Sequence, residues 1–366
     1  MTGIDGNTVF APYLRSYFEG IVPGSILLFR YNIASSPESV FRFLQSCNKS
    51  FAELGTPVPV LFAIDHEGGK VYRTGSSTTY LPAATDVASL YSMDEAWELY
   101  RLSGIQLFTM GIRMNLAPVV EILTDENRPF LSTRAYSSDP NTVADYAESA
   151  IRGFQAGGIL SAIKHFPGNT DTDPHAGIPV LNVSAERFDS DYVEPFRRVL
   201  SVSPDAILVS HCIVSAIDPD IPFCLSKKGV TGIIRESLGF SGLVITDDIS
   251  MEALTKAGFS SSDAAVYAIR AGCDSIMTSG TDIRQIVTRI VDTAETDANF
   301  AQRLDSAVLR ILRAKYRVGL IQTAQQQYAA SRLGNQSAFQ DVFDETMYWN
   351  ARRDCDELME RKHDTK

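Results

Sequence analysis

The sequence predicts an α/β protein folded as a TIM-type (β/α)8 barrel. Three observations lead there: short apolar runs recur along the chain, amphipathic stretches separate them, and ionisable residues directly follow several of the runs.

The runs are SILLF (25–29), VPVLFAI (58–64), IRMNLAPV (112–119), ILSAI (159–163), AILVS (206–210), GLVIT (242–246) and DSIMT (274–278). Each is continuous rather than alternating, as expected of a parallel strand buried on both faces. Between them, Ser36-Pro37-Glu38, Asp139-Pro140-Asn141 and Ser260-Ser261-Ser262-Asp263 carry helix-start chemistry, and several helical stretches end at Gly. A doubly wound sheet shares this alternation. It usually carries GxGxxG after its first strand, and that fingerprint is absent. A barrel needs eight strands and seven are visible, so the first is either missing or altered and hidden in the opening residues.

The polar positions favour the barrel. Asp65 follows VLFAI, Lys164-His165 follow ILSAI, His211 follows AILVS and Asp247-Asp248 follow LVIT. Residues at the C-terminal ends of barrel strands converge on one mouth. Taken singly, each could instead cap the next helix.

The net charge of −11, from 33 Lys and Arg against 44 Asp and Glu, disfavours nucleic acid and anionic lipid as partners. No run approaches the length of a membrane span and no signal segment is visible. Five cysteines (Cys47, Cys212, Cys224, Cys273 and Cys355) with no CxxC spacing read as free thiols in a reducing compartment. The cytoplasm is the expected location, or the periplasm or exterior if an N-terminal signal was removed. Residues 1–320 are expected to form the catalytic barrel domain. Residues 321–366, Gln-, Ala- and Ser-rich and then charged, are expected to form a helical tail serving as a surface helix or oligomer contact, in a monomer or homodimer.

Four motifs carry candidate chemistry. In KHFPGNTDTDPH (164–175), Asp173 and His175 form a D-x-H pair on a loop beginning at Pro167-Gly168. A carboxylate beside an imidazole orients it and favours its protonated form, which suits a general acid. A plain polar turn fits the same composition, and a metal site on His165, Asp171, Asp173 and His175 fits no familiar spacing. In ITDDISM (245–251), Asp247 stands at the mouth with Asp248 pointing elsewhere, since side chains alternate along a strand. One of the two is a candidate nucleophile; a helix cap is the alternative. IDHEGGKVYR (64–73) offers Asp65, His66, Glu67 and Arg73 around Gly68-Gly69, whose glycines suit either close approach to a ligand or a plain turn. Arg134 in STRAYSSDP could reach a substrate oxygen or serve a loop salt bridge.

Together, IDHEGGKVYR, KHFPGN with its D-P-H, PFCLSKKGVTGIIRESLGFSGLVITDDISM (222–251) and RLDSAVLRILRAKYRVGL (303–320) resemble glycoside hydrolase family 3, specifically its bacterial β-N-acetylhexosaminidases that trim peptidoglycan fragments. The resemblance runs from about residue 20 to 320. It implies a retaining exo-β-N-acetylglucosaminidase that works through a covalent glycosyl-enzyme intermediate, acts on saccharide or muropeptide fragments, and uses no metal or organic cofactor. Asp247 matches the family's nucleophile, His175 its acid/base histidine and Asp173 the carboxylate of the Asp-His dyad. Asp65, Arg73, Arg134, Lys164 and His165 match its sugar-binding positions. Other activities of the family, β-glucosidase or β-xylosidase, and a sugar-binding barrel with impaired catalysis are the rival readings. The chain departs from the pattern at Asn169-Thr170, where His-Gly is usual, in a loop about two residues shorter, and at Pro174 in place of Ser. Fewer glycines and an added Pro imply a less mobile loop.

Overall fold

The computed structural model describes residues 1–173, 177–322 and 342–363. Its main sheet is parallel, in the order β1 (Ser25–Leu28), β2 (Leu61–Ile64), β3 (Met114–Asn115), β4 (Leu160–Phe166), β6 (Ala206–Val209), β8 (Leu243–Asp248) and β9 (Ser275–Met277). All seven apolar runs are therefore strands. A second, two-stranded parallel sheet pairs β5 (Val180–Leu181) with β7 (Ile213–Val214).

The opening residues close the ring. Thr2 bridges in parallel to Ile26 of β1 on one side and to Thr278, just after β9, on the other. Leu27 N donates to the Thr2 carbonyl at 2.9 Å, and Thr278 N donates to the Met1 carbonyl at 3.0 Å. Of the two alternatives for the first strand, the altered and hidden one holds. Open sheet edges carry unpaired backbone groups, and a very short stretch suffices to satisfy them here. Met1-Thr2-Gly3 has no apolar run to betray it.

Strand alternation sorts the core into two layers. Leu27, Leu61, Ala63, Leu160, Ala162, Leu243 and Ile245 pack together inside the barrel. Their neighbours Ile26, Phe62, Ile64, Ile163 and Val244 face outward, into the layer shared with the helices. Continued by parity, the inward series of β2, β4 and β8 reaches Asp65, Lys164 and Asp247.

The helix starts read from sequence hold. Ser36 accepts from Ser39 N at 3.2 Å, Asp139 from Thr142 N at 2.8 Å and Ser260 from Asp263 N at 3.1 Å. Helices Met93–Thr109 and Pro140–Ala156 approach closely because glycine faces glycine: a Cβ on Gly157 would come within 2.8 Å of the Gly104 Cα. The C-terminal helix Glu345–His363 packs against Met93–Thr109. Its Tyr348 is fully buried and its hydroxyl donates to the Ser77 carbonyl. Lys362 Nζ lies 2.6 Å from Glu95.

Candidate active site

The C-terminal ends of the strands surround a cavity of about 280 Å³. Asp65, Arg73, Arg134, Lys164, His165, Asp173 and Asp247 all line it. Of the residues matched to the family's site, the structure thus brings these seven together, and His175 lies outside the described residues.

Lys164, almost fully buried at the end of β4, joins two carboxylates: its Nζ binds Asp65 and lies 2.6 Å from Glu67 Oε1. Arg134 grips the same Glu67 with its fork, Nε to Oε2 at 2.8 Å and Nη2 to Oε1 at 2.7 Å. Burial alone would push the Glu67 carboxyl up; the charges of Lys164 and Arg134 outweigh it and hold the group well below the usual carboxylate range. Burial likewise works against the Arg134 guanidinium, and the Glu67 charge reverses the effect and raises it. Arg73 Nη2 stands 3.9 Å from Asp65 Oδ2, too long for a hydrogen bond, which leaves it able to reach another oxygen.

Lys164 and His165 are consecutive, yet both face the cavity. The β4–β6 register shifts between Ile163 and Phe166, which breaks strict alternation there. His165 Nε2 lies 3.2 Å from Arg134 Nη2, while its Nδ1 meets Glu121. Glu121 also accepts from Asn169 N at 2.6 Å and Asn169 Nδ2 at 2.9 Å. Asn169, where His is usual in the motif, thus ties the start of the 167–173 loop to the same buried carboxylate.

On the opposite side of the ring, β8 delivers the two aspartates. The Asp248 carboxylate is occupied: Oδ1 accepts from Ser250 N at 3.0 Å, Ser250 Oγ at 2.5 Å and Ser279 N at 3.0 Å. Among the described residues, Asp247 accepts only a backbone bond, from Asp248 N at 2.8 Å. Both border the cavity, so Asp248 does not point fully away as strict alternation implies; the β8–β9 register shifts between Ile245 and Asp248. Phe130, Met251 and Val71 supply apolar wall.

One expectation changes and one open reading closes. His211 is buried and does not line the cavity: its Nε2 meets the Asp248 carbonyl at 2.9 Å and its Nδ1 the Cys224 sulfur at 3.2 Å, so it braces the β8 terminus instead. Of the two readings of Gly68-Gly69, the turn holds: Val71 N donates back to the Gly68 carbonyl at 3.0 Å, and both glycines press against protein. At φ +99°, a Cβ on Gly68 would sit 2.2 Å from the Pro82 carbonyl oxygen, and one on Gly69 2.6 Å from the Ala83 Cβ. Glu121 is a site position that sequence reasoning passed over, and Glu67 one that it named without a role. Glu121 does carry the shared signal, a carboxylate just after an apolar run, in APVVE.

His66 is fully buried with its ring against Tyr72, and burial, helped by Arg73, drives its pKa down to about 3. All five cysteines are free and buried. Among the described residues, no three His, Cys, Asp or Glu side chains gather as a metal site, and no helix is long and apolar enough to cross a membrane.

The sequence profile of the Glycosyl hydrolase family 3 N terminal domain matches residues 20–314. A protein named Beta-hexosaminidase A from Pseudoalteromonas piscicida is 27% identical over 357 residues, covering 90% of this chain; the chain spans 59% of that protein's length. A Beta-hexosaminidase from Xylella fastidiosa is 30% identical over 286 residues, covering 76% of this chain and 82% of its own. Among solved structures, a glycoside hydrolase family 3 beta-N-acetylglucosaminidase from a Paenibacillus species superposes with a TM-score of 0.82 at 28% identity, covering 92% of this chain and 67% of its own. A Beta-N-acetylhexosaminidase from Beutenbergia cavernae gives 0.76 at 28% identity, covering 86% and 96%.

Proposed function

The chain belongs to glycosyl hydrolase family 3, and from that premise we propose that it is a retaining exo-β-N-acetylglucosaminidase that removes terminal β-linked N-acetylglucosamine from peptidoglycan fragments. One observation carries the reading: Asp247, among the described residues the less occupied carboxylate of the β8 pair, shares a cavity with Asp65, Lys164 and Arg134 across the ring, the two cations joined behind it by Glu67.

In this reading Asp65, Arg73, Lys164, His165 and Arg134 hold the hydroxyls of the terminal sugar. Fixed donors and acceptors orient it so that its anomeric carbon meets Asp247. An Asp247 oxygen bonds to that carbon as the bond to the leaving oxygen breaks, and His175, oriented by Asp173, gives its proton to the departing oxygen. Water then attacks the same carbon, returns a proton to His175 and releases Asp247, with net retention. The usual retaining pair is two carboxyls about 5 Å apart. Using imidazole as the donor avoids adding a further anion to a cavity already lined by Asp65, Asp173, Asp247 and Asp248.

Asp247→Ala should lower release of nitrophenol from its β-N-acetylglucosaminide by about 10³-fold or more, with Asp248→Ala the comparison. Undiminished turnover in the Asp247 variant overturns the assignment. A fluorinated aminosugar should leave a stable adduct whose labelled peptide contains Asp247. His175→Ala should slow poor leaving groups more than good ones, and equal losses on both remove it as proton donor. Turnover of β-glucosides or β-xylosides in preference to the aminosugar favours the rival activity, and acceleration by added phosphate marks phosphorolysis.

A further inference from the structure

At the end of the barrel where the strands begin, opposite the candidate active site, a second pocket of about 210 Å³ opens to the surface. It lies between the starts of β6 and β8 and the last turns of helix Ala298–Arg317. Asp205, Ser241, Gly242, Arg310, Arg313 and Arg317 line it.

The charge around this pocket is unbalanced. Asp274, just before β9, already gathers Arg235, Arg303 and Arg310. Asp205 is the carboxylate in the pocket wall, and it is buried and engaged. Its Oδ2 accepts from Ser161 N and Gln155 Nε2, each at 3.0 Å, and its Oδ1 lies 2.5 Å from Arg317 Nη1 as an ion pair with no aligned hydrogen bond. Arg313 is exposed and makes no ion pair or hydrogen bond to another described residue. Five guanidiniums therefore stand against two buried carboxylates, on a protein whose net charge is −11. Guanidiniums gathered on shared carboxylates repel one another, and a polyvalent anion relieves that repulsion. Ser241 adds further donors, since neither its hydroxyl nor its backbone N–H bonds to another described residue.

We propose that this pocket binds a phosphate group, held by the guanidiniums of Arg310, Arg313 and Arg317 and by Ser241, on the face of the barrel away from the sugar. A phosphate offers acceptor oxygens on every side and up to two charges, which guanidinium forks, a hydroxyl and an amide match. A carboxylate carries one charge in one plane and offsets less of the excess. A long polyanion such as nucleic acid fits poorly, because beyond the pocket it meets a protein of net negative charge. At 210 Å³ the pocket is smaller than the ~300–1,000 Å³ of sites for whole drug-sized ligands, which suits a phosphate with at most a small substituent. The site is independent of the hydrolase reading and asks nothing of the candidate active site.

The test is calorimetry on the full chain with inorganic phosphate, pyrophosphate and glycerol 3-phosphate, the ionic strength held constant with sodium chloride. Binding should be saturable, and the melting temperature should rise with ligand concentration. Arg313→Ala should weaken binding by about tenfold or more, and Arg313→Lys, which keeps the charge and loses the fork, by less. Without ligand both variants should melt as the wild type does, since the side chain is exposed and has no partner to lose among the described residues. Arg73→Ala, at the candidate active site, should leave binding unchanged, which separates this pocket from the cations around the sugar. Tighter binding of glycerol 3-phosphate than of phosphate assigns the site to a phosphomonoester, and equal binding assigns it to the phosphate group alone. Binding that Arg313→Ala leaves intact, a melting shift that sodium chloride alone reproduces, or no binding of any of the three anions overturns the site.

Discussion

His165 Nδ1 lies 2.6 Å from the Glu121 carboxylate, and this contact decides which nitrogen the ring offers to the cavity. Glu121 accepts and Arg134 Nη2 can only donate, so Nδ1 bears the hydrogen and Nε2 accepts from Arg134. Glu121 also receives both Asn169 donors. Glu121→Ala strands several buried donors at once and should cost about 3 kcal/mol or more in urea unfolding. Glu121→Gln puts an amide N–H against at least one of them and should recover only part of that.

Glu67 is the shared anion between two buried cations, Lys164 at 2.6 Å and Arg134 at 2.7 Å. Glu67→Gln leaves both cations short of charge, and a loss of about 3–5 kcal/mol is expected by denaturation, together with a raised KM.

The same carboxylate sets an acid limit. Its folded pKa is held below the ordinary value, so the unfolded chain binds its proton first. The stabilisation is fully present above the unfolded pKa of about 4.3 and is lost as pH falls below it. Stability measured from pH 6 downward should fall less steeply below about 4.3 in Glu67→Gln than in the wild type.

His66 acts over a higher window. It is buried as the neutral ring with a pKa near 3, whereas an unfolded histidine titrates near 6.5. The unfolded state binds a proton through that interval and the folded state does not, so stability contributed by the neutral ring is complete above about 6.5 and declines toward pH 3. His66→Gln should unfold more readily at neutral pH yet show a shallower slope between those limits. An unchanged slope counts against the buried neutral ring.

At the opposite end of the barrel, Asp274 has no exposed side-chain surface and meets Arg235 at 2.5 Å, Arg303 at 2.8 Å and Arg310 at 3.2 Å. Asp274→Ala leaves three cations facing one another and should cost about 3–5 kcal/mol. This carboxylate is remote from the cavity, so turnover per folded molecule should be unchanged, a contrast with Glu67 that thermal melts and initial rates can check together.

Local pattern alone determined a good deal of this protein. Seven apolar runs became the seven strands of one parallel sheet, and three Ser and Asp positions became helix caps, because strand burial and capping depend on neighbours a few residues away. The candidate cavity was legible for a related reason: a residue just past a barrel strand is sent to the mouth whatever its partners are, which placed Asp65, Lys164 and Asp247 together. What the pattern could not decide was pairing. Lys164 meets Asp65 across 99 positions of sequence, His165 meets Glu121 across 44, and Thr2 closes the ring against Thr278. His211 obeyed the same strand-end rule and was nevertheless drawn to the Asp248 carbonyl and Cys224. Charge and hydrogen-bond partners are chosen by distance in space after the strands have closed, and only the folded chain sets those distances.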